Sequence, residues 1–314
     1  MKTQFFTEDG VVKAVDDVNL KIRRGETLGL VGESGCGKTI TSLSILRLVP
    51  SPPGKIVAGS VNFEGENLLE YSEEEMRKIR GNEISMIFQD PMTSLNPVFT
   101  VKNQITENIK LHQDVSDDIA FEKAVDMLKL VGIPAAERRI NDYPHLFSGG
   151  MRQRVMIAMA LSCNPQMLIA DEPTTALDVT IQAQVLDILK NLQEDLNMAI
   201  LYITHNLGVI AEIADNIAVM YAGNIVEYTD VDTLYHQPRH PYTRALLSSI
   251  PRMDRKIDRL GVIKGTVPNL ITPPSGCRFH PRCTYASKKC SEEFPPEIKV
   301  GRNHTVLCHY ADQI

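Results

Sequence analysis

The residues Gly32-Glu33-Ser34-Gly35-Cys36-Gly37-Lys38-Thr39 lie between an apolar run, Thr27-Leu28-Gly29-Leu30-Val31, and a helix-forming stretch that opens at Ile40. Strand, glycine-rich loop and helix in that order make an anion cradle. Glycines let the backbone wrap closely around phosphate, and the helix N-terminus adds a favourable dipole. In such a cradle Lys38 reaches the β and γ phosphates of a nucleotide, and the Thr39 hydroxyl ligates Mg2+. Cys36 reads as a small tolerated residue in the loop, with a thiolate stabilised at the helix N-terminus as the alternative. A second group ends the apolar run Met167-Leu168-Ile169-Ala170 with Asp171 and Glu172, as a buried parallel strand delivers side chains at its carboxyl end. Asp171 is placed to hold Mg2+, directly or through water, and Glu172 to accept a proton from an attacking water. The implied chemistry is transfer of a phosphoryl group to water.

Three further positions fit around these two. Gln89 follows the apolar run Ile84 to Phe88, where it can bridge Mg2+ to a moving segment or serve as an ordinary turn amide. His205 ends the run Ala199 to Thr204; it suits contact with the γ phosphate and the attacking water, or a capping role. Ser148-Gly149-Gly150 precedes a helical stretch through Leu161, with Ser148 as its N-cap. One nucleotide does not need two helix-start anion sites from one chain, so the second is expected to meet a phosphate bound elsewhere.

The elements that position these groups read as α/β. A chain of 314 residues can bury one large core or two moderate ones. Its net charge of -6 and pI near 5.8 argue against a nucleic-acid or anionic-lipid surface. The apolar runs fall far short of the ~20 residues that span a bilayer. "MKTQFFTEDG" has no signal-peptide core, which places the chain in the cytosol with reduced or metal-bound thiols. Between Gln89 and about Cys163, "TVKNQITENIKL" and "FEKAVDMLKLVG" have amphipathic helical spacing. Cys163 itself reads as a small core residue in the helix that follows Ser148. "NIAVMYAGNIVEYTD" reads as a hairpin, after which apolar density drops and Pro, His and Cys rise from about residue 236. That tail is too poor in apolar residues for a core of its own and needs docking or a covalent staple. It carries Cys277, Cys283, Cys290 and Cys308. Their loose spacing lacks the short knuckle usual for zinc and suits an iron-sulfur cluster, so both stay open on chemistry alone. His280, His304 and His309 lie among them as substitute zinc ligands or plain loop residues.

In order and spacing, residues 5 to 228 resemble the ATP-binding cassettes of membrane transporters. The loop from Gly32 through Ser34, Gly35, Cys36, Gly37, Lys38 and Thr39 to Ile40 looks like their phosphate loop, and Gln89 like their mobile glutamine. Ser148 to Gly150 look like the signature, Asp171 and Glu172 like the magnesium aspartate and catalytic glutamate, Asp178 like the dimer-loop aspartate, and His205 like the switch histidine. The resemblance implies a P-loop NTPase with a RecA-like core, an antiparallel β subdomain and a helical arm over about 91–163. The cassette spans 1–235 and an accessory tail 236–314. Phe5 is the implied adenine-stacking residue, with Phe6 as alternative. The signature departs from the commonest form at Phe147 and Met151.

"FQDPMTSLNP", "SGGMRQR", "HPYTRALLSSIP" and the cysteine tail narrow the resemblance to the ATPase subunits of bacterial dipeptide and oligopeptide importers, in which Met151 is usual. That family implies ATP and Mg2+ as ligands, a [4Fe-4S] cluster on the four tail cysteines, and head-to-tail pairing with a second cassette, usually a paralogue. It also implies two membrane permeases, an extracytoplasmic peptide-binding protein at one remove, and a place on the cytoplasmic face of the membrane. Related nickel or metal-chelate importers, and an ATP-binding redox or metal sensor, are the competing readings.

Overall fold

The computed structural model describes residues 1–89, 94–174, 179–249 and 263–314. The chain forms two compact units. One holds Met1–Lys21, Thr27–Leu69 and Ile203–Ile314; the other holds Ile22–Glu26 and Glu70–Tyr202.

In the first unit, β1 (Lys2–Thr7) pairs antiparallel with both β2 (Gly10–Val15) and β4 (Gly54–Ala58), setting Phe5 opposite Val12 and Gly54. A short hairpin of β5 (Asn62–Phe63) and β6 (Glu66–Asn67) follows. The antiparallel sheet expected of the resemblance is thus present. β3 (Thr27–Val31) is buried at every residue, as its unbroken apolar sequence requires of a strand covered on both faces. It runs parallel to β10 (Asn216–Tyr221), with Leu28 opposite Asn216 and Val31 opposite Val219. β10 turns through Ala222 and Gly223, both at positive φ, into β11 (Asn224–Asp230). The hairpin is the one its sequence suggests.

The tail docks on this hairpin. β13 (Thr305–Leu307) adds antiparallel to β11 and is itself paired with β12 (Glu297–Lys299). Three anchors hold the docking. His304 Nε2 bonds Glu227 Oε1 at 2.8 Å in the interior, and Glu227 also accepts the N–H groups of Arg239 and His240 at 2.7 and 3.0 Å. Arg278, buried, pairs with Asp16 and donates to the Ala222 carbonyl. Phe279 packs edge-on against Tyr221 and Tyr242, with centroids 5.1 and 5.4 Å apart. Docking therefore supplies what the tail's sparse apolar content does not; its own cluster amounts to Val306, Cys308 and Ala311 with a few half-buried neighbours.

In the second unit, β7 (Ile84–Ile87) pairs parallel with β8 (Met167–Asp171), beside β9 (Ala199–Thr204). Helices Val101–His112, Asp117–Leu130 and Gly149–Leu161 bury Ile105, Ile109, Ala124, Leu128, Val155 and Ile157 against one another. Thr100, Ser116 and Ser148 cap them, each side chain accepting an N–H three residues on. The helix after Ser148 ends at Leu161, so Cys163 lies beyond its end rather than inside it. Asn164 at φ 52, followed by Pro165, is the stop signal. Cys163 is buried all the same. Among the described residues no helix is long and apolar enough to cross a membrane.

Candidate functional site

The phosphate loop follows β3 and opens the helix Lys38–Ile45. Gly32 and Gly37 are required by space: a Cβ on Gly32 would sit 2.2 Å from the Met220 carbonyl oxygen, and one on Gly37 2.3 Å from that of Ala14. The Lys38 side chain is buried and its Nζ donates to the carbonyls of Gly32 (2.9 Å) and Glu33 (3.1 Å), lacing the loop shut. Gly223 in the hairpin turn donates its N–H to the Cys36 carbonyl at 2.8 Å. Ser34, Gly35 and Thr39 face solvent on the crown, while Ile40 is half-buried. Cys36 is fully buried, and burial pushes its thiol above the ordinary cysteine range, with Lys38 pulling the other way. Such a thiol packs; it does not attack. Phe5 is half-buried in β1, and Phe6 is 51% exposed. His205 follows β9, exposed, one residue before the helix N-cap Asn206.

The second unit carries the carboxylates. Asp171 is buried at the end of β8. Glu172 follows at φ 47, a left-handed conformation that costs an ordinary residue energy and that clusters at functional sites. Its carboxylate accepts a hydrogen bond from Gln89 Nε2 at 3.0 Å. The structure thus brings together two candidate residues that are 83 positions apart. Neither this contact nor the strain is announced by any sequence pattern. Behind them the Thr174 and Tyr202 hydroxyls meet in the interior at 3.3 Å. Asp178 lies outside the described residues.

At the signature, Ser148 Oγ accepts the Met151 N–H at 3.3 Å. Gly149 borders open space, whereas a Cβ on Gly150 would come 3.0 Å from Ile181. The two departures share a neighbour. Phe147 is buried beneath the Arg139 guanidinium, 5.8 Å from its ring, and Met151 Sδ lies 3.8 Å from the same group.

In the tail, Cys277, Cys283, Cys290 and Cys308 line one small cavity of about 10 Å3, room for about one water. Burial lifts the Cys277 thiol to about 11, and it raises Cys283 and Cys308 as well, with the neighbouring sulfurs adding to the effect. Among the described residues no three of His, Cys, Asp and Glu are grouped to hold one metal ion. Of the three histidines considered as substitute ligands, His280 and His309 line the same cavity, His280 Nδ1 meeting the Cys277 carbonyl (2.9 Å) and His309 Nε2 that of Glu293 (3.0 Å), whereas His304 is turned to Glu227. Thiols are the ligand type an iron-sulfur cluster takes, but a cavity of about 10 Å3 does not admit one as it stands.

A parallel core with a glycine-rich phosphate loop, and a carboxylate pair at a strand end, defines the class of P-loop nucleotide hydrolases. Within it, the chain belongs to the ABC transporter family, whose model matches residues 15–175. A model for the oligopeptide/dipeptide transporter C-terminal region matches residues 226–290. The chain is 54% identical to the oligopeptide transport ATP-binding protein AppD of Bacillus subtilis, over 98% of this chain and 94% of that one. It is 48% identical to the dipeptide transport ATP-binding protein DppD of the same organism, over 100% and 93%. Among solved structures it resembles a dimeric ATP-binding cassette in a post-hydrolysis state bound to ADP and Pi, with a TM-score of 0.66 and 27% identity over 73% of this chain and 96% of that one.

Proposed function

We propose that the chain is the ATP-hydrolysing subunit of an importer of di- or oligopeptides, acting at the cytoplasmic face of the membrane beside two permease subunits. The observation that carries this reading is near-50% identity to peptide-transport ATPases along the whole chain, tail included. The likeness thus extends beyond motifs that every cassette shares.

In this reading the Gly32–Ile40 loop cradles the phosphates, Lys38 neutralises them, and Thr39, Gln89 and Asp171 serve Mg2+. Glu172 takes the proton from water, with His205 beside the γ phosphate. Ser148, Gly149, Gly150 and Asp178 act on the nucleotide of a second cassette, paired head to tail. Phe5 stacks on adenine. Residues 1–235 form the cassette and 236–314 an accessory tail holding a [4Fe-4S] cluster on Cys277, Cys283, Cys290 and Cys308. Zinc on the same four thiols is the alternative.

The test is reconstitution with a permease pair and a peptide-binding protein in proteoliposomes. ATP turnover that rises with peptide supports the reading. Turnover that ignores peptide but follows a nickel chelate moves the chain to a metal importer, and turnover independent of any permease makes it a regulator.

A further inference from the structure

Glu33 is the one acidic residue of the phosphate loop, and a carboxylate beside bound phosphates repels them. The loop's answer comes from the far end of the chain. Arg282, next to Cys283 in the segment "GCRFHPRC", donates from both terminal nitrogens to Glu33: to Oε2 at 2.9 Å and to Oε1 at 3.2 Å. The same guanidinium lies 5.7 Å over the Tyr221 ring, and its Nε bonds the Lys264 carbonyl at 2.9 Å. The Arg282 side chain is 6% exposed. A planar fork held at this many points has one geometry, which a lysine does not reproduce. The main chain of Glu33 is gripped as well: its N–H donates to the Tyr242 hydroxyl at 3.0 Å. Tyr242 is buried in the helix Pro241–Ser248 against Tyr221, centroids 4.7 Å apart.

We infer that Arg282 is a positioning residue for nucleotide binding. It neutralises and fixes the Glu33 carboxylate, so that the phosphate loop meets a triphosphate without an uncompensated negative group, while Tyr242 fixes the backbone at the same residue. This rests on reading Gly32–Thr39 as the ATP cradle. The tail thereby acquires a second role, because the residue beside Cys283 sets the electrostatics of the loop and the tail's state bears on ATP affinity.

The test is calorimetric titration of the full chain with Mg-ATP and with Mg-ADP. Arg282→Ala is expected to weaken ATP binding about tenfold, the scale of a lost charge-assisted pair, and to weaken ADP binding less. Glu33→Gln alone is expected to change ATP affinity by under about threefold, and in the double variant it should restore most of the loss, because the repelling charge is gone. Merely loosening the tail gives no such rescue. Parent-like ATP affinity in Arg282→Ala, or a loss that Glu33→Gln leaves untouched, overturns the inference. If Arg282→Ala does not fold, Arg282→Gln, which keeps most of the side chain and drops the charge, decides by the same rescue with and without Glu33→Gln. Lys38→Ala separates the two ideas: if it binds ATP normally the cradle reading itself fails, and if it alone loses ATP the cradle stands without the Arg282 role.

Discussion

Glu172 combines a strained backbone with a hydrogen bond from Gln89, and together these hold its carboxylate, the proposed proton acceptor, at the end of β8. Glu172→Gln keeps the shape and removes the basicity. Hydrolysis should fall roughly 100-fold or more, the scale of a lost general base, while ATP affinity stays near that of the parent; single-turnover rates and a binding titration check both. Unchanged turnover would remove Glu172 from the chemistry. The identities of such residues are legible because the phosphate loop and the strand-end carboxylates are contiguous strings with a fixed physical context. Their contacts are not. Gln89 and Glu172 are separated by 83 positions and Arg282 and Glu33 by 249, and no local period links single residues at such distances.

Among the elements, the docking of β13 on β11 turns on the buried Glu227–His304 pair. His304→Ala removes one of the hydrogen bonds that the buried Glu227 carboxylate accepts, while those from Arg239 and His240 remain, and should cost about 1–3 kcal/mol, read from urea unfolding. The neighbouring His240 makes the same region acid-sensitive. It caps its helix by accepting the Tyr242 N–H at 3.1 Å. Burial, the largest influence, lowers its pKa from 6.5 to about 4, with Glu227 opposing. The folded imidazole therefore stays neutral in a range where the unfolded chain takes up a proton. Stability is full above about pH 6.5 and declines as pH falls towards about 4, by about 3 kcal/mol in total. Urea midpoints at pH 7.5 and 5.5 should differ in the parent and converge in His240→Asn; a parent-like difference in the variant would assign the slope to other groups. Elements with strong patterns are readable: β3 from its unbroken apolar run, the helices from their spacing and caps. The helix after Ser148 ends at Leu161 as its apolar run suggests, and Cys163 falls outside it because the backbone of Asn164-Pro165 does not continue a helix.

For the molecule as a whole, sequence composition marks the tail's beginning but does not show that residues 236–314 fall in one compact unit with the phosphate loop. Docking through Arg278 to Asp16 joins residues 262 positions apart, which is why it leaves no trace in composition. The proposed cluster has a direct check. Protein purified without oxygen should carry iron and sulfide near four each per chain, as the four-thiolate cluster requires, with a broad visible absorption that Cys283→Ser abolishes. One zinc and no colour would sink it.

β13 has one more effect. Within its unit the order β12-β13-β11-β10-β3 places the tail's two strands outside β11, and an uncovered strand edge is a template for pairing with a foreign chain. The tail thereby moves the sheet's edge from β11 to the three-residue strand β12. A chain cut after residue 236 loses that cover and exposes the carboxylate of Glu227 at the same stroke, so it should form concentration-dependent aggregates in sedimentation runs where the full chain stays dispersed.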